Sequence, residues 1–266
     1  MSYSTQQWTD KTVVITGACS GLGLAAAKHF ISLNAKVALL DINEAEARTV
    51  LTEIASPNAI FYQTDVTSAD AVENAFAQIH NNFQTVDVCL NCAGIAPALK
   101  VLDKSGSAQP LAHFNHVIQI NLIGTFNVSR IAAQYMLKND KNVPKETSED
   151  NGVIINTASI AAFEGQMGQT AYAASKGGIV ALGLAMARDL AQNRIRVNTI
   201  APGIMGTPLL LNMPESVQES LADTVVYPKR LGSPAEFAKL AQHICENQYL
   251  NGETIRLDGA LRMGPR

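Results

Sequence analysis

The sequence predicts an α/β fold, a single doubly wound domain with a central parallel sheet of about seven strands flanked by helices. Three observations point there. Short β-branched runs recur from one end of the 266-residue chain to the other. Longer segments with helical periodicity lie between the first six of them. The runs are apolar on both faces instead of alternating, as parallel strands covered by helices on either side must be.

In chain order the runs are "TVVITG" (12–17), "KVALLD" (36–41), "AIFYQTDV" (59–66), "VDVCLN" (86–91), "GVIINTAS" (152–159), "RVNTIA" (196–201) and "ETIRLD" (253–258). "GLGLAAAKHFISLN" after the first and "DAVENAFAQIHNNF" after the third show the 3.6-residue period of a helix with one apolar face. Every joining segment is helix-sized, which suits right-handed crossovers between parallel neighbours. The polar stretch "KNDKNVPKETSEDNG" (138–152) reads as a solvated loop, and "APALKVLDKSGSAQPL" (96–111) as a second long loop. Neither is a linker, so residues 1–266 are expected to form one domain.

Composition narrows the function. Apolar residues make up 47%, enough for a large core, and the net charge of −3 gives no general attraction to nucleic acid or anionic lipid. No run is long enough to span a membrane. The opening "MSYSTQQWTDK" has neither the apolar core of a signal peptide nor an arginine-rich amphipathic pattern, so a cytoplasmic location is expected. The histidines show no metal-binding spacing, and no metal is expected. Of the four cysteines, Cys89 and Cys92 form a C-x-x-C. A zinc site would need a second pair, and a redox pair would open a helix, so both are expected to be buried strand cysteines.

The first strand runs into "TGACSGLGLA", with Gly17, Gly21 and Gly23 between strand and helix. Glycines there let the chain turn tightly and let backbone N–H groups approach a pyrophosphate, to which the helix adds its positive end. Asp41, eighteen residues after Gly23, closes the second strand, where a carboxylate accepts from ribose hydroxyls and repels a ribose phosphate. That favours NAD over NADP. Asp65, at the end of the third strand, is placed either to meet an adenine amino group or to make an Asx turn before the next helix. The small residues of the Asn91–Gly94 turn suit close backbone contact with a cofactor.

Tyr172 and Lys176 lie four apart in a helix poor in charge, so they share a face, and Ser159 ends the fifth strand. A phenol has an ordinary pKa of about 10, and lowering it by roughly 3 units takes about 4 kcal/mol. A cation at roughly 4 Å supplies about 1 kcal/mol in water and about 4 at an effective dielectric near 20, so Lys176 is expected to make Tyr172 acidic only in a shielded pocket. An oxidised nicotinamide, itself cationic, would push the same way. Ser159 would hydrogen-bond the reacting oxygen while Tyr172 handles the proton. "NTASIAA" lacks the nucleophile elbow of a serine hydrolase.

Taken together, "TGACSGLG", "NCAG", Asn121 in "QINLIGTFN", Ser159, "YAASK" and "APG" resemble the short-chain dehydrogenase/reductase family, a Rossmann-type fold, across essentially the whole chain. "NCAG" stands where N-N-A-G is commoner. The resemblance implies Asn121, Ser159, Tyr172 and Lys176 as the catalytic set, with Asn121 helping to hold a water that relays protons to Lys176. Motifs and resemblance together give a cofactor site of Gly17, Ser20, Gly21, Leu22, Gly23, Asp41, Asp65, Val66, Cys92, Ala93, Gly94, Tyr172, Lys176, Pro202, Gly203 and Thr207. Thr207 is expected to bond the nicotinamide amide.

"NTASIAAFEGQMGQTAYAASKGGI", "APGIMGTPLL" and "LNGETIRLDGALRM" look like the family's 3-hydroxyacyl-CoA dehydrogenases. This implies NAD-dependent oxidation of a 3-hydroxyacyl-CoA, with some tolerance of hydroxysteroids and other secondary alcohols. The substrate would meet Ser159, Tyr172 and Gln166; Gln166 and Gln169 could equally pack the turn before the helix. The apolar segment 204–226 is expected to form a mobile lid over an acyl chain, or else core. Gly177, Gly178 and Gly183 each cost about 1 kcal/mol against alanine in a helix, so close approach of another helix is expected. In the family that helix packs on a partner subunit, which implies a homotetramer. A dehydrogenase of a steroid or other secondary alcohol is the nearest alternative, and a non-catalytic dinucleotide-binding scaffold the more distant one.

Overall fold

The computed structural model describes residues 8–139 and 150–265. Each apolar run contains a strand: β1 (Thr12–Thr16), β2 (Lys36–Asp41), β3 (Ala59–Gln63), β4 (Val88–Asn91), β5 (Gly152–Thr157), β6 (Ile195–Pro202) and β7 (Thr254–Leu257). They form one sheet in the order β3-β2-β1-β4-β5-β6-β7, with every neighbouring pair parallel. The order reverses between β1 and β4, so the connections that leave these two strands diverge and open a crevice at their carboxyl ends.

Helices α1 (Gly21–Ser32), α2 (Glu44–Ile54), α3 (Ala69–Phe83), α4 (Leu111–Ile118), α5 (Gly124–Met136), α6 (Thr170–Asp189), α7 (Pro208–Leu211), α8 (Glu215–Asp223) and α9 (Pro234–Glu246) cover and extend the sheet. Local chemistry sets several boundaries. Asn43 and Ser68 accept from N–H groups of the first turns of α2 and α3, and Ser233 with Glu236 forms a capping box on α9. A π turn, Gln119–Ile123, joins α4 to α5.

Two apolar layers form the core. Phe30 of α1 and Phe237 of α9 pack on Ile15, Leu39 and Ile155, while Phe76, Met136 and Val128 pack on Val14, Cys89 and Ile154 on the other face. Because successive strand residues point to opposite layers, the central strands are mostly apolar on both sides, and Asn91 and Asn156, polar residues they bury, are hydrogen-bonded to each other. At the base of β6 the buried Arg196 is paired with Asp150 at 2.7 Å and donates to the carbonyls of Ile244, Cys245, Asn247 and Leu250.

Two of the three glycines of α6 permit a close approach within the chain. A Cβ on Gly183 would stand 2.7 Å from Thr199 Oγ1 of β6, and one on Gly178 would stand 2.7 Å from Leu122 of the π turn. Both serve close approach inside the chain, while a Cβ on Gly177 would meet only the Ala162 carbonyl at 3.8 Å. Segment 204–226 holds α7 and α8, and Leu211, Met213, Val217 and Val226 are exposed, so most of it is not core. Of the expected polar loop at 138–152, residues 140–149 lie outside the described residues.

Candidate active site

Backbone contact builds the crevice. Gly17 has φ +62, and a Cβ there would stand 2.9 Å from the Ala93 backbone, while a Cβ on Gly23 would collide with the Gly17 carbonyl. Only glycine permits both approaches. Thr16 Oγ1 accepts from the N–H groups of Cys92 and Ala93, each at 3.1 Å, tying the β4 exit to the end of β1. Ser20 makes no side-chain cap on α1, which leaves first-turn N–H groups for an anion.

These turns enclose a cleft of about 390 Å³ lined by Gly17, Ser20, Gly21, Leu22, Gly23, Asp41, Asp65, Val66, Cys92, Ala93, Gly94 and Thr207, together with Ile42, Ile95 and Ile120. Asp41 is aimed by its own neighbours: Oδ2 accepts from Cys19 N–H at 3.1 Å and Oδ1 from Asn43 N–H at 3.1 Å. Asp65 Oδ1 accepts from both the N–H and the hydroxyl of Thr67 at 2.8 Å, so the Asx turn is present at a residue that also lines the cleft.

A second cavity of about 760 Å³ adjoins the first and shares Leu22, Cys92, Gly94, Ile95 and Thr207 with it. Ser159, Tyr172, Lys176, Pro202 and Gly203 line it, as do Thr157 and His116. The two expected constellations therefore form one continuous depression. Gln166 stands apart from both linings. Its Nε2 donates to the Gly264 carbonyl at 3.2 Å and its N–H to Gln169 Oε1 at 3.0 Å, so these glutamines pack the turn before α6.

Lys176 is buried, donates from Nζ to the Thr157 carbonyl at 2.7 Å, and lies 5.7 Å from the centre of the Tyr172 ring. Burial lowers its pKa from 10.5 to about 8, with the Cys92 thiol acting weakly in the opposite sense. Burial raises the Tyr172 phenol above its ordinary 10, and the Ser159 hydroxyl bond only partly offsets this. Lys176 thus lies in the shielded pocket the expectation required, and burial there works against the phenolate. The shielding that strengthens the ammonium's field also penalises the phenolate, and the ammonium is engaged with a carbonyl. The Ser159 Oγ also accepts from Ala161 N–H at 3.1 Å, which orients it at the end of β5.

Asn121 is fully buried in the π turn. Its Oδ1 accepts from Ile95 N–H at 2.8 Å, and its Nδ2 donates to the Ile95 carbonyl at 2.9 Å and to Ser175 Oγ at 3.0 Å. Its own carbonyl accepts from the Thr125 hydroxyl at 2.7 Å. Both amide hydrogens are thereby spent on the protein, so any water it helps to hold must use a remaining lone pair.

Cys89 is buried in β4 and Cys92 half-buried at its exit, and both are free thiols. Burial pushes Cys92 up to about 12, against the hydrogen bond from Thr157 Oγ1 at 3.6 Å, which lowers it. Among the described residues no group of three or more His, Cys, Asp or Glu is arranged to hold a metal, and no helix is long and apolar enough to cross a membrane. The sequence reading missed His116, Thr157 and Ser175. Ser175 stood inside "YAASK" in plain view, but its partner Asn121 lies 54 positions away.

Comparison with known proteins agrees with this geometry. Residues 11–218 match the family model described as short chain dehydrogenase. The chain is 51% identical over 257 residues to the 3-hydroxyacyl-CoA dehydrogenase type-2 of Homo sapiens, covering 95% of each protein. It is 44% identical to the protein of the same name from Drosophila melanogaster, covering 95% of this chain and 97% of that one. The crystal structure of a 3-hydroxyacyl-CoA dehydrogenase type-2 from Mycobacterium avium superposes with a TM-score of 0.91 at 35% identity, over 98% of this chain and 99% of that one.

Proposed function

The chain belongs to the short-chain dehydrogenases, oxidoreductases that use a nicotinamide dinucleotide, and from that premise we propose that it oxidises the 3-hydroxyl of a 3-hydroxyacyl-CoA with NAD. The observation that carries this is the single depression in which Ser159, Tyr172 and Lys176 face a cleft lined by Gly17, Gly21 and Gly23. The residues fit a dinucleotide: the Gly17 and Gly23 approaches leave no room for a Cβ, and the first turn of α1 has spare N–H groups. Asp41 supports NAD over NADP, because its oriented carboxylate would meet a ribose phosphate with like charge. A bound oxidised nicotinamide supplies the hydride acceptor and a positive charge.

The chain's own residues do the rest. Ser159 Oγ–H donates to the substrate's 3-oxygen and fixes it beside Tyr172. Tyr172 Oη, as phenolate, takes the hydroxyl proton while the carbon–hydrogen bond breaks with its electron pair, leaving a 3-ketone two electrons more oxidised. Burial raises the phenol above its ordinary value, so the Lys176 ammonium and a bound cationic nicotinamide would act together to favour the phenolate. The Lys176 ammonium, anchored on the Thr157 carbonyl, stabilises the phenolate while it exists. Leu211 and Met213 are exposed on the segment after "APG", where they suit a cover for an acyl chain.

Initial rates of NADH formation test the reading with a panel of 3-hydroxyacyl-CoA esters, hydroxysteroids and simple secondary alcohols. Turnover of the esters is expected, with NADP a poor replacement for NAD. Turnover confined to steroids or other alcohols would move the protein to the alternative substrate class. Tight NADH binding without any turnover would mark it as a scaffold.

The reading includes a homotetramer, and an apolar surface groove of about 450 Å³ lined by Leu122, Ile123, Phe126, Gly178 and Leu182 supports self-association. A monomer in sedimentation at micromolar concentration would refute it.

A further inference from the structure

Ser175 immediately precedes Lys176 in α6 and is fully buried. A buried serine in a helix commonly satisfies itself on a carbonyl one turn back, and its Oγ does donate to the Tyr172 carbonyl at 2.7 Å. The same oxygen also accepts from Asn121 Nδ2 at 3.0 Å. The remaining bonds of that amide go to the N–H and carbonyl of Ile95, a residue lining both cavities. The chain of bonds thus runs from the β4 exit through the π turn to the helical turn that carries Tyr172 and Lys176. Its ends converge again at Gly94, where a Cβ would stand 3.1 Å from Asn121 Oδ1 and 3.6 Å from Lys176 Nζ.

We propose that Ser175 is a positioning residue for the reaction, its hydroxyl locking the Asn121 amide to the backbone of Tyr172 so that the π turn, the Ile95 backbone and the catalytic turn of α6 keep one geometry. The proposal rests on the assignment of Tyr172 and Lys176 given above. The bond has a structural reason to be needed. A π turn is a local break in helical pairing, and Asn121 sits at its centre, so nothing in the helix itself fixes the direction of that side chain. Without the Ser175 oxygen one buried N–H of Asn121 loses its acceptor, and the amide can turn to regain one.

Ser175→Ala, Asn121→Ala and the double variant are compared by kcat, KM, NADH affinity from fluorescence quenching, and the pH profile of kcat. Ser175→Ala is expected to lower kcat about ten- to a hundredfold, with NADH affinity held within about twofold. The double variant is expected to be no slower than Asn121→Ala, since the hydroxyl acts through the amide. Ser175→Thr, which keeps the hydroxyl, is expected to recover most of the lost rate and the wild-type pH profile. Losses that multiply in the double variant, or an unchanged kcat in Ser175→Ala, would overturn the proposal. Should Ser175→Ala not fold, Ser175→Cys fills the space with a weak acceptor and must show the same loss. Tyr172→Phe run alongside separates the two failures: if it stays active, the site assignment falls, whereas if it is inactive and Ser175→Ala is normal, only the positioning role falls.

Discussion

Replacing Lys176 with methionine should make the protein inactive and remove a component of its pH-dependent stability. Burial lowers this ammonium from 10.5 to about 8, so folding at neutral pH carries the cost of hiding a charge. Below pH 8 the group is protonated in both states and the full cost is present. Between pH 8 and 10.5 the native lysine has lost its proton while the unfolded one keeps it, so the unfolded state binds more protons and stability rises with pH. The two values give a rise of roughly 2–3 kcal/mol from pH 7 to pH 10 attributable to this residue. Buried thiols pull the other way, since Cys19, Cys92 and Cys245 are all pushed from 9.0 to about 12 and their unfolded forms ionise first. The readout is therefore the difference between wild type and Lys176→Met in urea unfolding at pH 7, 8.5 and 10. At pH 7 the variant should be more stable by roughly 1–2 kcal/mol, because the Thr157 carbonyl loses its donor and returns part of the gain. At pH 10 the order should reverse. Parallel stability curves across that range would refute the reasoning.

Three further outcomes are expected. Tyr172→Phe should reduce kcat by about a thousandfold or more, as a missing acid–base group does, while NADH affinity by fluorescence stays near wild type. Asp41→Ser should narrow the preference for NAD over NADP about tenfold or more, read as the ratio of kcat/KM values, by removing the carboxylate that opposes a ribose phosphate. Gly183→Ala should destabilise by about 1–3 kcal/mol in urea titration, because its methyl would stand 2.7 Å from Thr199 Oγ1 and α6 or β6 must shift.

Much of this molecule was legible because its chemistry sits in local patterns. Seven largely apolar runs mark seven parallel strands, since strands covered on both faces bury most of their side chains. Gly17 and Gly23 declared a backbone approach that the structure contains. The i, i+4 spacing of Tyr172 and Lys176 put them on one cavity wall. What stayed hidden is what depends on distant partners. Nothing near Asn121 announces a π turn, nor that its amide is divided between Ile95 and Ser175. Gly178 and Gly183 signalled a close approach, but not that the groups approached are Leu122 and Thr199. Gln166 followed a resemblance to the substrate, whereas the carbonyl it reaches belongs to Gly264 near the other end of the chain.

A helix poor in charge leaves the field of the Lys176 ammonium at the Tyr172 phenol uncompensated. Were a carboxylate placed against Lys176, it would hold the ammonium in its charged form and also cancel its field at the phenol. Among the described residues no carboxylate forms an ion pair with Lys176; its ammonium bonds a neutral carbonyl. The charge is kept available at the expense of its own pKa, which falls to about 8. That leaves the ammonium mostly protonated at neutral pH and the phenol protonated too, so the resting site is neutral at Tyr172 and cationic at Lys176. A bound oxidised nicotinamide would add a second positive charge beside the phenol and favour the phenolate further.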